Sequence, residues 1–178
     1  MKFQVVFISL LSFASVSLAT TVAVVVSDMN NLKAGVTTLA SHVKAFPDTG
    51  GKLADALAIH TQAAGLVSPI KQATADLKGV PTPISEADGK TLLVALGALA
   101  SSVVDCSNAL IAKHAAVAAL PVGGIPALVK GDLGDLKGAT TPFENEFLSV
   151  IPAIQKPDAV KTTTQVDNAF KAALAAYT

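Results

Sequence analysis

The stretch TLLVALGALASSVVDCSNAL, residues 91–110, indicates the fold class of this protein. Its apolar side chains recur at alternating steps of four and three residues, at Leu92, Leu96, Leu99, Val103, Cys106 and Leu110. This is the a/d spacing of a helix that packs along its length in a bundle. Just before it, Ser85 and Asp88 stand in the positions of a capping box, with aspartate replacing the usual glutamate. The sequence therefore predicts a long interior helix that begins after Ser85 and ends near Lys113.

The same helical periodicity extends across most of the chain, and almost no strand pattern follows the N-terminal segment. It predicts four more helices: from about Ser27 or Asp28 to Ala45, from about Gly50 to Lys78, from Pro126 to about Ile151, and from Pro157 to near the C-terminus. The turns between them are short and rich in proline and glycine, which favours antiparallel neighbours. The predicted fold is all-α: a single-domain antiparallel bundle of about five amphipathic helices.

Two prolines fall inside the predicted helices. Proline lacks a backbone donor, and its ring clashes with the carbonyl four residues earlier. We therefore expect a kink at Pro69 and another near residues 138–142, where Pro142 follows the glycines Gly131, Gly134 and Gly138.

The N-terminus has the pattern of a secretory signal peptide. Lys2 precedes an apolar run, and the small residues Ser17 and Ala19 suit a cleavage site after residue 19. Ala23 offers a second possible cut. The alternative is an uncleaved membrane anchor, because the apolar run from residue 3 to residue 26 reaches the ~20 residues that span a bilayer. We expect cleavage of residues 1–19, a secreted extracellular protein, and no transmembrane segment in the mature chain.

Composition excludes one large class of partners. With Lys2 removed, 12 lysines face 13 acidic residues, and the chain contains no arginine. A nucleic-acid-binding protein usually shows a basic patch with arginines that bind phosphate, so we expect no nucleic-acid partner. Cys106 is the single cysteine, so no internal disulfide can form. Its place in an apolar stripe favours a buried, inert thiol over a reactive one.

No catalytic constellation is visible. His42, His60 and His114 lack the spacing of metal ligands, and no nucleophile elbow, phosphate loop or dinucleotide fingerprint is present. Glu144 and Glu146 lie two residues apart on a predicted helix, so they face different sides and form no carboxylate pair. A dyad of Cys106 and His60 stays open. We expect no enzyme, no metal site and no cofactor.

The remaining feature of the sequence is an apolar core built mainly from small and medium-sized side chains. The predicted mature chain has few aromatic residues and no tryptophan, so alanine, leucine and valine must fill its interior. Cores without large rigid groups can leave dry apolar voids that accept apolar guests. An ordinary alanine–leucine core is the plainer alternative, since broad apolar faces are usual for central helices.

Four segments carry a resemblance to a known family. They are residues 56–61 (ALAIHT), residues 85–88 (SEAD) after a proline-rich turn, residues 110–113 (LIAK) and residues 166–177 (VDNAFKAALAAY). In this order they resemble the fungal hydrophobic surface-binding protein A family, whose domain is shared with the antigenic cell-wall galactomannoproteins of moulds. The likeness covers residues 25–178, which we take as the predicted domain.

The resemblance implies a secreted, all-helical domain. Members of the family adsorb to hydrophobic surfaces, including polyesters, and recruit an esterase such as a cutinase. The galactomannoprotein branch binds fatty acids in an apolar cavity inside a five-helix bundle. No polar ligand-binding residue can be carried over. The glycine- and proline-rich fourth helix departs from the expected pattern, and the absence of a Ser/Thr-rich stalk or GPI signal favours a free protein over an anchored wall protein.

Two functional hypotheses follow, with a third as background. The first is an enclosed lipid carrier whose cavity is lined by Leu57, Val67, Leu96, Val103, Phe143, Phe147, Val166 and Phe170. His60 is either an ordinary hydrogen-bonded side chain or a polar group that meets the head of the ligand. The second hypothesis is an adaptor that adsorbs to apolar surfaces and recruits a secreted cutinase-like esterase. The third is a structural cell-wall component or antigen without a small ligand.

Overall fold

The structure, a computed structural model, describes residues 20–177, so the predicted signal segment lies outside it. The described residues form six α-helical segments and no strand. The segments are α1 (Val22–Ala45), α2 (Leu53–Gly65), α3 (Val67–Lys78), α4 (Glu86–Ala118), α5 (Ile125–Val150) and α6 (Lys156–Ala176). Only Leu66 separates α2 from α3, so these two form one interrupted helix and the bundle has five members. The predicted all-α class is confirmed.

The first helix begins earlier than the sequence pattern predicts. Thr21, not Ser27 or Asp28, caps α1, and its hydroxyl accepts from the N–H of Val24. Val25 is fully buried in the core. Part of the apolar stretch that prolongs the predicted signal segment therefore belongs to the bundle.

The capping box of α4 is present as predicted. The Ser85 hydroxyl accepts from the N–H of Asp88 at 3.1 Å and donates to the Asp88 carboxylate at 2.7 Å. The shorter aspartate thus bonds the serine side chain itself, which holds the first turn closed. This helix runs to Ala118, five residues beyond the predicted end.

The two internal prolines act differently. Pro69 offers no N–H to the carbonyl of Gly65, and the helix is interrupted at Leu66. The structure therefore has a break three residues before Pro69, where we expected a kink. By contrast, α5 continues through Pro142 without interruption. Buried residues lie on both sides of Pro142 and anchor both halves of α5 in the core, whereas α2 buries only Ala56 and Ala63.

Parallel pairs of helices dominate the packing of the bundle. Lys44 of α1 bonds Asp105 of α4, and Asp48 after α1 bonds Lys113 further along α4. Because the residue numbers rise together, α1 and α4 run in the same direction.

The helices α4 and α6 are parallel for the same reason. Gln155 donates to the Glu86 carbonyl at 2.9 Å near the start of both helices, and Tyr177 donates to the Leu110 carbonyl at 2.8 Å near the end of α6.

The helices close into a ring in the order α1, α4, α6, α5 and the α2–α3 helix, which returns to α1. Each helix reverses the direction of the one before it in sequence, as predicted, but some consecutive helices are not neighbours. Most importantly, α4 and α5 barely touch. The centre of the ring lies between them.

Within the described residues, α4 is long and apolar enough to cross a membrane by length and composition alone. Length and composition alone do not distinguish a membrane span from the core helix of a bundle. The apolar stripe of α4, however, is buried against α1 and α6, with Leu92 fully enclosed. A broad apolar face is what a central bundle helix needs.

Candidate functional site

An apolar cavity of about 70 Å³ lies at the centre of the ring. Every member of the bundle contributes to its wall. The wall consists of Leu32, Val36 and Leu39 of α1, Leu66 and Ile70 at the α2–α3 interruption, Leu96, Leu99, Ala100, Val103, Cys106, Ser107 and Leu110 of α4, Leu133, Leu136, Thr140, Phe143 and Glu144 of α5, and Val166 and Phe170 of α6. The cavity exists because α4 and α5 stand apart while small side chains such as Ala100 face the gap.

Five of the predicted lining residues lie on this wall: Leu96, Val103, Phe143, Val166 and Phe170. They come from α4, α5 and α6.

The other four predicted residues do not line the central cavity. Leu57 is 42% exposed, and Val67 is half-buried outside the wall. The prediction assumed one continuous stripe along α2 and α3, but the interruption ends that stripe, and Leu66 and Ile70 take the inward positions instead. Phe147 is fully buried in solid core beside Phe143, with ring centroids 6.3 Å apart.

His60 lies at the edge of a smaller void next to the cavity. Its Nδ1 lies 2.8 and 2.9 Å from the two carboxylate oxygens of Asp132, which joins α2 to α5. This void of about 20 Å³ shares Leu39, Leu110 and other wall residues with the central cavity. His60 therefore has the partner expected of an ordinary hydrogen-bonded side chain, and it stands over a possible extension of the cavity.

Cys106 is on the wall but is not activated. Burial raises the pKa of its thiol to about 12, so the thiol stays protonated at neutral pH and is a poor nucleophile. With His60 engaged by Asp132, the structure gives no support to a dyad of these two residues. No group of metal-ligating side chains occurs among residues 20–177.

Three polar side chains, Ser107, Thr140 and Glu144, interrupt the apolar wall in the part of the chain that the structure describes. Glu144 is only 6% exposed, and its Oε1 has no hydrogen-bond partner among the described residues. Burial raises the pKa of this carboxyl to about 7; Asp167 adds to the rise and Lys137 opposes it. A neutral carboxyl is thus available inside the cavity near neutral pH.

The sequence contains a signal for Glu144, although its comparison with Glu146 alone did not predict a place in the cavity. Thr140, Phe143 and Phe147 surround it at helical spacing, so the acid belongs to the buried face of α5. The contribution of α1 was missed as well, because the predicted lining residues came only from the helices after it. Leu32, Val36 and Leu39 of α1 form one side of the wall.

The cavity is small for an extended ligand. An engineered apolar cavity of about 150 Å³ holds benzene, and the cavity here is less than half that size. A long acyl chain would require the bundle to expand. The α2 segment buries only Ala56 and Ala63 of its own residues and lies over the adjoining void.

A ring of amphipathic helices around a central apolar cavity defines a class of all-helical proteins with an internal hydrophobic site. The sequence profile of the hydrophobic surface binding protein A family matches residues 22–149, from the first residue of α1 to near the end of α5. The chain belongs to this family, and the resemblance seen in the sequence is confirmed.

Solved structures with the same fold contain bound lipids. The chain is similar to Afmp4p in complex with palmitic acid, at 30% identity and a TM-score of 0.80, over 88% of this chain and 99% of the other. Ligand binding domain 1 of the Penicillium marneffei MP1 protein, complexed with arachidonic acids, has 19% identity and a TM-score of 0.76 over 85% of this chain and 95% of the other. Domain 2 of that protein, complexed with multiple arachidonic acids, has 12% identity and a TM-score of 0.75 over 85% and 92%. At these lower identities the likeness shows the fold alone. Comparison with functionally curated proteins gives no match.

Proposed function

We propose that this protein is a secreted, non-enzymatic carrier that encloses a fatty-acid-like ligand in its central cavity. The observation that carries the proposal is the wall itself, to which every helix of the ring contributes and which is apolar except for three side chains. Membership of the family supports it, as does the likeness to Afmp4p, whose structure contains palmitic acid.

Burial of the acyl chain supplies the driving force. Each methylene transferred from water contributes about 0.8 kcal/mol. About ten methylenes therefore contribute about 8 kcal/mol, which lies within the range of about 4–15 kcal/mol that association costs in lost freedom of motion. Net binding consequently requires a long chain, and the cost of expanding the cavity raises the required length further.

Expansion would proceed through α2. The small void under α2 shares wall residues with the central cavity, so an outward shift of α2 joins the two spaces. The His60–Asp132 pair and the few buried residues of α2 are what such a shift must break. Elements with few buried contacts open at the lowest free-energy cost.

A filled cavity provides the test. Val103→Phe places a ring in the cavity, whereas Val94→Phe makes the same change on the same helix at a side chain that is 68% exposed. We expect Val103→Phe to weaken the binding of a fluorescent fatty acid at least tenfold and Val94→Phe to leave it unchanged. Thr140→Leu is a second filling variant, and melting curves show that each variant is folded. Equal affinity of the filled variants and the Val94→Phe control would contradict an enclosed site.

Secretion follows from the N-terminal pattern. We propose cleavage after Ala19, which leaves Thr21 in place to cap α1; cleavage after Ala23 would remove that cap. The intact mass of the protein from the culture medium distinguishes the two cuts, and retention of the protein in the membrane fraction would contradict secretion. Association with the cell wall is tested by extracting washed walls with mild detergent.

A second candidate function is adsorption to apolar surfaces. Val94 and Ile154 are each 68% exposed and Val160 is 45% exposed, all near the end of the bundle where α4 and α6 begin. Exposed apolar side chains grouped at one end suit contact with an apolar surface.

The test compares two ends of the molecule. Val94→Ser with Ile154→Ser should reduce adsorption to polyester beads, whereas Val122→Ser, in the loop after α4, should leave it unchanged. Addition of a cutinase to the coated beads tests whether the protein recruits an esterase. Adsorption that is equal in all variants would contradict a specific apolar end. Absence of both adsorption and acyl binding would favour a structural wall component.

A further inference from the structure

The most unusual residue of the cavity is Glu144. It lies on α5 in the cavity wall, it is 94% buried, and its Oε1 lacks a hydrogen-bond partner among residues 20–177. A buried polar atom without a partner costs about 1–3 kcal/mol, and more when the group is charged. An apolar filler at this position would avoid that cost, so the carboxyl requires an explanation.

The charged surroundings of Glu144 are sparse. Along the described wall, Cys106 of α4 is the other ionisable residue, and its thiol stays neutral because burial raises its pKa to about 12. Beyond the wall, Asp167 of α6 raises the pKa of Glu144, and Lys137 of α5 lowers it. The Nζ of Lys137 lies 3.9 Å from Oδ1 of Asp167.

The helices α1, α2 and α3 bring no charged side chain to the wall that the structure describes; His60 of α2 bonds Asp132 of α5 outside that wall. Asp132 lies twelve residues before Glu144 on α5, which corresponds to about 18 Å along a helix. Among residues 20–177, no lysine therefore lines the cavity to neutralise an anion there.

We propose that Glu144 is the polar anchor of the cavity, that it binds the carboxylate of a fatty acid as a protonated carboxyl, and that the ligand therefore enters together with one proton. This inference rests on the proposed function and specifies how the same site holds its ligand. Two ionised carboxylates cannot share an apolar space, but a carboxyl and a carboxylate can share one proton in a short O–H···O⁻ hydrogen bond.

The proton comes from solvent and no covalent bond changes. Glu144 donates its O–H to the ligand carboxylate, and the hydroxyls of Ser107 and Thr140, on the same wall, are available as further donors. A ligand with an uncharged hydroxyl head behaves differently, because it donates to the Glu144 carboxylate and requires no proton.

Two probes with the same chain length separate these cases: monomeric laurate and dodecanol. Above the pKa of free Glu144, binding coupled to uptake of one proton weakens about tenfold for each pH unit. We expect this slope for laurate between about pH 7 and about pH 9, no slope at about pH 5.5 to 6, and a flat profile for dodecanol. Calorimetry in two buffers of different ionisation enthalpy should show uptake of close to one proton per laurate at the alkaline end.

The variant Glu144→Gln keeps the size of the side chain and a hydrogen-bond donor, but its amide cannot take up or release a proton. It should bind laurate with an affinity that is flat across the pH range and with no proton uptake, whereas Glu146→Gln, on another face of α5, should behave as the wild type. If Glu144→Gln does not fold, the buffer-dependent calorimetry of the wild-type protein decides the question alone.

The outcomes distinguish the two proposals. Saturable laurate binding without proton uptake, an unchanged slope in Glu144→Gln, or the same slope for dodecanol would each overturn the role of Glu144 and leave the carrier function intact. Failure of the wild-type protein to bind either probe at any pH would overturn the carrier function itself.

Discussion

The buried carboxyl of Glu144 predicts an unusual dependence of stability on pH. The pKa of the carboxyl rises from 4.5 to about 7 on folding, chiefly because of burial. The folded protein therefore binds the proton more tightly than the unfolded chain. The contribution of Glu144 to the free energy of unfolding is most favourable when its carboxyl is protonated in both states, at pH values below 4.5. This contribution is lost as the pH rises through about 7.

The size of the loss follows from the same two values. Each unit of difference between the unfolded and the folded pKa corresponds to about 1.36 kcal/mol. Above about pH 8, the ionised Glu144 therefore lowers the free energy of unfolding by about 3 kcal/mol. For a domain of this length, that lowers the melting temperature by about 6–12 °C. Burial also raises the pKa values of Asp28, which faces Asp76, and of Asp132, so these residues act in the same direction.

The difference between wild type and Glu144→Gln isolates the contribution of Glu144. Urea unfolding followed by circular dichroism at about pH 5.5 and about pH 9 should show the wild type losing about 2 kcal/mol more than Glu144→Gln over this range, because part of the total loss already occurs between the unfolded pKa and pH 5.5. Glu146→Gln serves as the control. Parallel pH profiles for the wild type and Glu144→Gln would refute the argument, because they would mean that Glu144 is not a desolvated carboxyl in the folded protein.

Three further predictions concern packing, capping and ligand length. Tyr177→Phe removes the buried hydrogen bond of 2.8 Å to the Leu110 carbonyl and should cost about 1–3 kcal/mol of unfolding free energy in urea; a cost near zero would show that the tyrosine hydroxyl does not tie α6 to α4. Ser85→Ala removes the cap of α4 and should cost about 1 kcal/mol, measured in the same way; a stabilised variant would contradict the capping geometry. The affinity for saturated fatty acids should rise about fourfold per added methylene until the expanded cavity is full, and calorimetry of a series of acids that shows no dependence on length would contradict burial of the chain.

Most of the fold could be predicted from sequence, because one signal dominates it. The four-three spacing of the α4 stripe and the short turns sufficed for an all-helical bundle, and the capping residues Ser85 and Asp88 located the start of α4. The start of α1 was missed because its apolar residues are continuous with the predicted signal segment. Composition cannot separate those two, whereas the burial of Val25 does.

The candidate site was predicted less completely, for two physical reasons. Periodicity shows which face of a helix is buried, but not whether that face meets solid core or a gap; Phe143 lines the cavity, and Phe147, one turn later, does not. The gap depends on the long-range order of the helices, which keeps α4 and α5 apart although they are consecutive. The break at Leu66 then displaced the predicted stripe of α2.

Glu144 is instructive because a charged residue on a buried face conflicts with the local pattern. Such a conflict marks either strain or function. In this molecule the acid lies on the one wall that an apolar ligand would contact, which a helical pattern alone could not reveal.

The central claim is that a ligand lies inside the bundle. Native mass spectrometry of the protein from the culture medium, with and without added laurate, tests it most directly. We predict either a co-purified lipid or a laurate adduct that saturates at a fixed stoichiometry, is lost on denaturation, and is weakened in Val103→Phe but not in Val94→Phe. A ligand-free mass, with laurate adducts that increase without saturation and equally in both variants, would contradict an enclosed site.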